Sequence, residues 1–249
     1  MDAGAGGQGD REGHRGAVLA NPDLDDPARA AGLEQAASRP PRHRTRPGGH
    51  RQVGEKGVAA HKKSARRRGA WICFQDESGF SLLPVVRATW APRGQTPVLT
   101  HRFSWKRLSM SGALAYRPDR SEAVFVFGIK EGAYNTASLI EFLTALLDHL
   151  DGQKVTLIWD GLPAHRSNDM KAWLATQRHW LRVEPLPGYA PDLNPMETVW
   201  GNVKARELAN LCPDTIDEAH TAAQAGLERV GSSYQLCFNF LDHTGGLSL

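Results

Sequence analysis

The chain has 249 residues, a formal net charge of +3 and three cysteines. No stretch approaches about 18 consecutive apolar residues, and the N-terminus lacks the apolar region of a signal peptide, so we expect neither a membrane span nor a secretory leader. Cys73, Cys212 and Cys237 each stand among apolar residues without paired or metal-type spacing, which predicts reduced, buried thiols in an intracellular protein.

The first 70 residues differ in composition from the rest of the chain. They contain no Phe, Trp, Tyr or Ile, and they carry 14 Lys and Arg against 8 Asp and Glu. A segment with so little apolar surface cannot offset its ordering entropy of roughly 1–2 kcal/mol per residue. We therefore predict a disordered basic arm at residues 1–60 and one globular domain at residues 61–249.

The positive charge of the N-terminal region is concentrated in two runs, at residues 39–46 and 62–68. Such runs are typical of segments that contact phosphate backbones, although a solubilising tail has the same composition. The second run supplies five candidate DNA contacts: Lys62, Lys63, Arg66, Arg67 and Arg68.

The folded part begins with patterns typical of strands. The apolar run 71–75 ends in Asp76 and turn-forming residues, which predicts a buried strand. Further strands are predicted at 87–91, 108–116 and 123–129, separated by Gly and Pro clusters, and this spacing indicates an antiparallel meander.

The period then changes from two to about 3.6. Leucines at helical spacing predict an amphipathic helix over 137–150 with Thr136 as its N-cap. A strand at 154–159, a helix at 168–177, a strand at 181–186 and a helix from Asn194 follow, and two more helices are expected near 215–229 and 233–242. The order predicts an α/β fold in which three antiparallel strands and then parallel strands form a mixed sheet flanked by helices.

Two of the apolar strands lead directly into an aspartate, Asp76 and Asp160. Ligand sites in α/β sheets form beyond the carboxyl ends of strands, so two adjacent parallel strands would present both carboxylates to one crevice. The alternative is that each aspartate only opens a turn by accepting from nearby backbone N–H groups.

Glu197 also has two interpretations. Asn194, Pro195 and Glu197 occupy the N-cap, first and third positions of a helix, which is a capping-box arrangement and requires no active site. Trp200 lies one turn further along, which predicts that this side of the helix leans on the sheet.

Four segments taken together resemble the IS630/Tc1/mariner transposases: residues 76–79, residues 89–97, residues 157–160 with His165, and residues 191–197 with Trp200. The resemblance runs from about residue 62 to the C-terminus. It implies an RNase H-like fold and aligns Asp76, Asp160 and Glu197 with the family's three acidic positions, the last two 37 residues apart.

By this resemblance, the three carboxylates are the catalytic residues and hold two Mg²⁺ ions, with Mn²⁺ as a substitute. Two such ions clamp an in-line displacement at phosphorus, and Mg²⁺ prefers oxygen ligands. The implied activity is cleavage and strand transfer at element ends, and the implied partners are double-stranded DNA (terminal repeats and target) and a second copy of the chain, in the bacterial cytoplasm at the nucleoid.

Other residues are weaker candidates for DNA contact. His165 matches a recurrent family histidine, with capping of the next helix as the alternative; Lys204 and Arg93 are candidate phosphate contacts, with an exposed lysine as the alternative for Lys204. Trp90 and Trp105 are predicted to lie in the core.

The resemblance does not extend to residues 1–60, where the apolar periodicity of a helix-turn-helix reader is missing. We therefore expect the DNA-reading region to be absent or degenerate. Besides an active transposase, two alternatives stay open: a relic that binds DNA non-specifically, and an RNase H-like nuclease unconnected to transposition.

Overall fold

The computed structural model describes residues 17–19 (backbone only), 61–93, 95–101, 104–186 and 191–244. The predicted disorder of the arm falls mostly outside these residues. Within the arm, Ala17–Leu19 form a short strand that the sequence patterns did not predict.

One mixed sheet organises the domain. Its strands are β1 (Ala17–Leu19), β2 (Trp71–Ser81), β3 (Arg107–Tyr116), β4 (Ala123–Glu131), β5 (Val155–Trp159) and β6 (Leu181–Pro185). The order across the sheet is β1-β4-β3-β2-β5-β6. β2, β3 and β4 form an antiparallel meander, whereas β5 runs parallel to β2 and β6 runs parallel to β5. The predicted change from antiparallel to parallel strands is confirmed.

Helices cover both faces of this sheet. They are α1 (residues 61–68 as far as it is described), α2 (Thr136–His149), α3 (Asn168–Thr176), α4 (Pro195–Arg206), α5 (Ile216–Gly231) and α6 (Tyr234–His243). One apolar core lies between the sheet and α2 and α3, and a larger core lies between the opposite face and α4, α5 and α6. Because side chains alternate along a strand, successive residues of β2 enter different cores.

The helix predicted over 137–150 is present, but its N-cap is Asn135 and not Thr136. The Asn135 side chain accepts from the N–H of Ser138, and the Ser138 hydroxyl accepts from the N–H of Asn135, which forms a reciprocal capping box. The shorter side chain of Ser138 takes the position that Glu or Gln usually fills.

Two strand predictions were wrong in detail. β2 does not end at residue 75 but continues to Ser81, because β3 pairs with it along its whole length, out to the pair of Ser81 with Arg107. Residues 87–91 form no strand. They lie in the long connection from β2 to β3, where the N–H of Arg87 donates to the Asn210 side chain instead of to a neighbouring strand.

The core assignment of two tryptophans was also wrong. Trp90 is fully exposed and Trp105 is 82% exposed, both in the connection between β2 and β3. Of the cysteines, Cys73 and Cys237 are buried and unpaired as expected, while Cys212 is only half-buried. Every helix in the described part of the chain is too short or too polar to span a bilayer.

Candidate active site

Asp76 lies inside β2, on the face that α4 covers. It pairs in register with Gly112 of β3, and its side chain is only 8% exposed. The indole Nε1 of Trp200 donates to Asp76 Oδ2 at 3.1 Å. A buried carboxylate is therefore held in one orientation by a side chain of the helix packed above it.

The surroundings of Asp76 disfavour its negative charge. Burial raises the pKa of Asp76 to about 7, the hydrogen bond from Trp200 lowers it in part, and the negative charges of Glu77 and Glu197 raise it again. A carboxylate held under such conditions is common where a cation or a proton is handled.

Glu197 lies in the first turn of α4, on the border of the helix's buried face. The side chain is exposed, while Met196, Val199 and Trp200 are buried against the sheet. The Asn194 amide oxygen accepts from the N–H of Met196, not from that of Glu197, so the capping interaction does not take the form that the sequence suggested. The expectation that this side of α4 leans on the sheet is confirmed for Trp200 but not for Glu197 itself.

Lys204 lies two turns beyond Glu197 and is half-buried, unlike an ordinary surface lysine. Its Nζ donates to the hydroxyl of Ser78 at 2.7 Å. Burial lowers the pKa of Lys204, although the charges of Glu197 and Asp76 act in the opposite direction. A cation therefore already faces the two carboxylates.

Asp160 follows β5 directly. Phe74 pairs with Ile158, so continuing the register by two residues brings Asp160 level with Asp76 on the adjacent parallel strand. The Asp160 carboxylate accepts from the N–H of Leu162 at 3.0 Å and lies 3.0 Å from His165 Nδ1. Asp160 therefore both follows the end of a strand and accepts from the backbone of the turn after it, as the two interpretations of the sequence predicted.

His165 is buried beneath Asp160 and stacks on the Trp159 indole, with ring centroids 4.1 Å apart. Its Nε2 lies 3.4 Å from Glu77 Oε1. Burial alone would lower the pKa of His165, but the bonds to Asp160 and Glu77 raise it to about 9. Burial would in turn raise the pKa of Asp160, but His165 and the N–H of Leu162 hold it below its usual range. Ser167, not His165, caps α3.

Glu77 and Gln75 support His165 and Asp160 from the side of the sheet that α2 and α3 cover. Glu77 points away from Asp76, as expected for the next residue of a continuing strand, and Gln75 Nε2 donates to Glu77 Oε1 at 2.6 Å and to Ser111 Oγ at 3.2 Å. Gln75 Oε1 is buried without a partner among the described residues. Gln75 was not predicted as a site residue, because its only signal in the sequence is a polar residue at a core position of an apolar strand.

An open groove runs beside Glu197. It has a volume of about 680 Å³, and residues of α4, the preceding turn and the end of α6 line it, among them Asp192, Asn194, Thr198, Gly201 and His243. Because the groove is open to solvent, a large ligand could reach the Glu197 carboxylate through it.

The donor chemistry of these residues fits a hard divalent cation, since Asp76, Asp160 and Glu197 offer only carboxylate oxygens. The described residues nevertheless contain no three His, Cys, Asp or Glu side chains grouped to hold a metal ion. The negative charge of Glu197 raises the pKa of Asp76, whereas the Asp160 carboxylate contacts His165. Asp160 thus lies level with Asp76 on the adjacent strand, with its carboxylate in contact with His165.

The candidate DNA contacts lie at separate places. Arg93 is exposed in the connection between β2 and β3, and the remaining cations are on α1, where Lys63, Arg66 and Arg67 are exposed and Lys62 and Arg68 are half-buried.

Comparison with known proteins identifies a family and a fold. The family model described as DDE superfamily endonuclease matches residues 71–218, which include Asp76, Asp160 and Glu197. No curated protein matches the sequence significantly.

Among solved structures, the chain is similar to the Mos1 mariner paired end complex with Mn (TM-score 0.55, 16% identity, 84% of this chain and 65% of that chain). It is also similar to the complex with Mg (TM-score 0.54, 16% identity, 85% and 64%) and to the Mos1 transposase paired-end complex with left transposon end (TM-score 0.50, 18% identity, 84% and 66%). The chain thus spans about two-thirds of the length of those proteins, and the similarity shows the RNase H-like fold that the sequence resemblance implied.

Proposed function

The chain belongs to the DDE superfamily endonucleases, and from that premise we propose that it is the DNA transposase of an insertion sequence, cleaving and joining phosphodiester bonds at element ends. The proposal rests on the environment of Asp76. This carboxylate is buried, accepts a hydrogen bond from Trp200 and is subject to the negative charge of Glu197. An ionised carboxylate in this position destabilises the folded, metal-free protein, and a bound cation would reduce its repulsion from Glu197.

Asp76, Asp160 and Glu197 would hold two Mg²⁺ ions, with Mn²⁺ as a substitute. When bound, two such ions supply activation of the attacking oxygen and stabilisation of the leaving oxygen. Other side chains of the protein would orient the carboxylates and contact the phosphate. Trp200 would orient Asp76, His165 and the N–H of Leu162 would orient Asp160, and Lys204, which now donates to Ser78, would contact a phosphate oxygen near Glu197.

Double-stranded DNA is the proposed partner, as element ends and as target. The similar Mos1 structures are paired-end complexes, which supports the proposal that two copies of this chain act on two DNA ends. The exposed cations of α1 (Lys63, Arg66 and Arg67, with Lys62 and Arg68 beside them) and Arg93 are proposed to contact the DNA backbone. The bacterial cytoplasm, at the nucleoid, is the proposed location.

Replacing any one of the three carboxylates should abolish cleavage. We expect Asp76→Asn, Asp160→Asn and Glu197→Gln each to lower the metal-dependent nicking rate at least about 100-fold, because a two-metal site supplies several kcal/mol and each 1.4 kcal/mol is tenfold in rate. The assay follows nicking of a supercoiled plasmid that carries the element ends, with Mg²⁺, Mn²⁺ or EDTA.

Asp148→Asn is the matched control, since Asp148 is an exposed aspartate near the end of α2, on the opposite face of the sheet from α4 and Glu197. Its nicking rate should stay within about twofold of wild type, as is usual for surface substitutions. An undiminished rate in any one of the three carboxylate variants would remove that residue from the catalytic set.

An inactive relic that only binds DNA is the second candidate. The engagement of Asp160 by His165, together with the absence of a three-ligand group among the described residues, favours it. The same plasmid assay separates the two candidates, because a relic binds the element ends and leaves them intact with either metal.

His165 is expected to position Asp160 and not to bind DNA, because its ring is buried and both nitrogens face carboxylates. His165→Gln should lower the cleavage rate at saturating DNA about 10–100-fold, as removal of an outer partner of a ligand does. Its Kd for DNA should not change. His179→Gln, at an exposed histidine after α3, should change neither quantity. Weaker DNA binding with an unchanged rate at saturation would show instead that His165 contacts DNA.

A further inference from the structure

A second cleft lies at the β6 edge of the sheet, away from the carboxylates. It has a volume of about 610 Å³ and is formed by α1, α3 and the edge strand β6. We call it the edge cleft, and its lining residues are Arg68, Lys171, Leu174, Ala175, Arg178, Leu181, Arg182 and Val183. Four of these eight carry a positive charge and none carries a negative one.

The cations come from three separate elements. Arg68 ends α1, Lys171 lies in α3, Arg178 follows the C-cap of α3, and Arg182 lies in β6. Arg68 is fixed by a hydrogen bond from its guanidinium to the hydroxyl of Thr156 at 3.3 Å. The fold therefore directs cations from both faces of the sheet toward one place.

These charges are only partly compensated within the protein. Arg182 donates to Glu184 at 2.6 Å, but Lys171 and Arg178 are exposed and their side chains have no hydrogen-bond or ion-pair partner in the part of the chain that the structure describes. Burial and the neighbouring Arg182 lower the pKa of Arg68, with Glu184 acting in the opposite direction. Like charges held together in this way favour an anionic ligand.

Two simpler explanations cover only part of this arrangement. A cation just beyond a helix C-terminus interacts favourably with the helix dipole, which accounts for Arg178. A charged residue on an edge strand prevents pairing with other chains, which accounts for Arg182. Neither explains why Arg68 is half-buried next to Arg182, or why all four cations share a cleft with apolar walls.

The edge cleft has a defined relation to the carboxylate site. Val183, in its wall, pairs with Leu157 of β5, and Asp160 lies three residues beyond Leu157, directly after the end of β5. At about 3.3 Å per residue the two places are about 10 Å apart along the strand direction. One strand of a DNA duplex presents about three phosphates over that length.

We propose that the edge cleft binds the sugar–phosphate backbone of DNA a few nucleotides from the bond that is cut, as a contact separate from the carboxylate site. This inference rests on the proposed function, because it presumes that the substrate is DNA. The exposed cations Lys63, Arg66 and Arg67 on α1 would continue the contact beyond Arg68. Such a contact fixes the position of the duplex without reading its sequence.

The test measures DNA binding without cleavage. The double variant Lys171→Gln/Arg178→Gln removes two exposed cations from the edge cleft, and fluorescence anisotropy follows its binding to a duplex that carries an element end, in EDTA and over a range of salt concentrations. Loss of two phosphate contacts should reduce the magnitude of the slope of log K against log salt by about 1.8. At 0.1 M salt we expect binding to be about tenfold weaker.

The matched control is Lys106→Gln/Arg206→Gln, which removes two exposed cations at other places on the chain. Its binding should weaken by less than about twofold. Equal weakening by both pairs would mean that only net charge matters, and wild-type binding by the cleft variant would mean that the cleft is unused. Either result overturns the proposal.

The readout is independent of the catalytic proposal. If the wild-type protein binds DNA but never nicks it, the transposase assignment fails while the cleft comparison still stands. If the cleft variant binds like wild type and nicking is normal, only the cleft proposal fails. A wild-type protein that binds no DNA at any salt concentration overturns both.

Discussion

Asp76→Asn is expected to make the metal-free protein more stable at pH 8 while removing its cleavage activity. The side chain is 8% exposed, and burial raises the pKa of Asp76 to about 7. Ionising such a group costs more free energy in the folded state than in the unfolded chain, so it lowers the free energy of unfolding. An asparagine oxygen can still accept from Trp200 without carrying a charge.

The sign of the pH dependence follows from the direction of the shift. Because the folded pKa lies above the usual value near 3.8, the folded state retains the proton more tightly between about pH 4 and pH 7. The destabilisation is absent at pH 4, grows through this range and is complete at pH 8. The variant should exceed wild type by about 2–4 kcal/mol at pH 8, and the difference should shrink as the pH falls to 5.

Urea unfolding in EDTA at pH 5, 6.5 and 8 checks this expectation. Asp148→Asn, at an exposed aspartate near the end of α2, is the control and should show no comparable dependence on pH. Adding Mg²⁺ or Mn²⁺ should then raise the Tm of wild type but not of Asp76→Asn, since a ligand stabilises only the state that binds it. A variant less stable than wild type at pH 8 would contradict the assignment of Asp76 as a strained carboxylate.

The fold was largely predictable because its elements carry strong local patterns. β5 is a short apolar run with a turn after it, and α2 has an apolar stripe at helical spacing, so both were predicted to within a few residues. The extension of β2 to Ser81 was missed because it depends on pairing with β3, which lies more than 20 residues further along the chain. Residues 87–91 show the converse, since residues typical of strands form none without a partner strand.

The contacts of the candidate site could not be predicted from the sequence. The predicted strand-end position is confirmed for Asp160, which follows β5, but it is wrong for Asp76, which lies inside β2, and Glu197 was selected by family resemblance. The hydrogen bond from Trp200 to Asp76 and the contact of His165 with Glu77 join residues 124 and 88 positions apart, which no local pattern encodes. Trp90 was assigned to the core by its residue type alone, whereas it is fully exposed in the connection between β2 and β3.

The position of α4 above Asp76 depends on the absence of a side chain at Gly112. Gly112 is the β3 partner of Asp76. A Cβ atom there would lie 2.7 Å from Met196 Cε, 2.8 Å from Trp200 Cη2 and 3.1 Å from Phe125 Cε2. Met196 has a flexible end and can move, but Trp200 is buried and bonded to Asp76, so α4 itself must shift.

Gly112→Ala should therefore affect both stability and catalysis. Overpacking a dense core costs about 1–3 kcal/mol, which urea unfolding would detect. A shift of α4 also moves Glu197 relative to Asp76, and a displacement of about 1 Å can cost 100-fold in rate. We expect the nicking rate at saturating DNA to fall about 10–100-fold, with the Kd for DNA unchanged.

Gly79→Ala is the matched control, because Gly79 lies in the same sheet and its added Cβ would meet nothing closer than 3.7 Å. Adding Met196→Ala to Gly112→Ala should restore little activity, since the contact with Trp200 persists. Wild-type rate and stability in Gly112→Ala would show that α4 accommodates the methyl group without moving Glu197. If instead Met196→Ala restores the rate, the flexible methionine and not the tryptophan limits how closely α4 approaches the sheet.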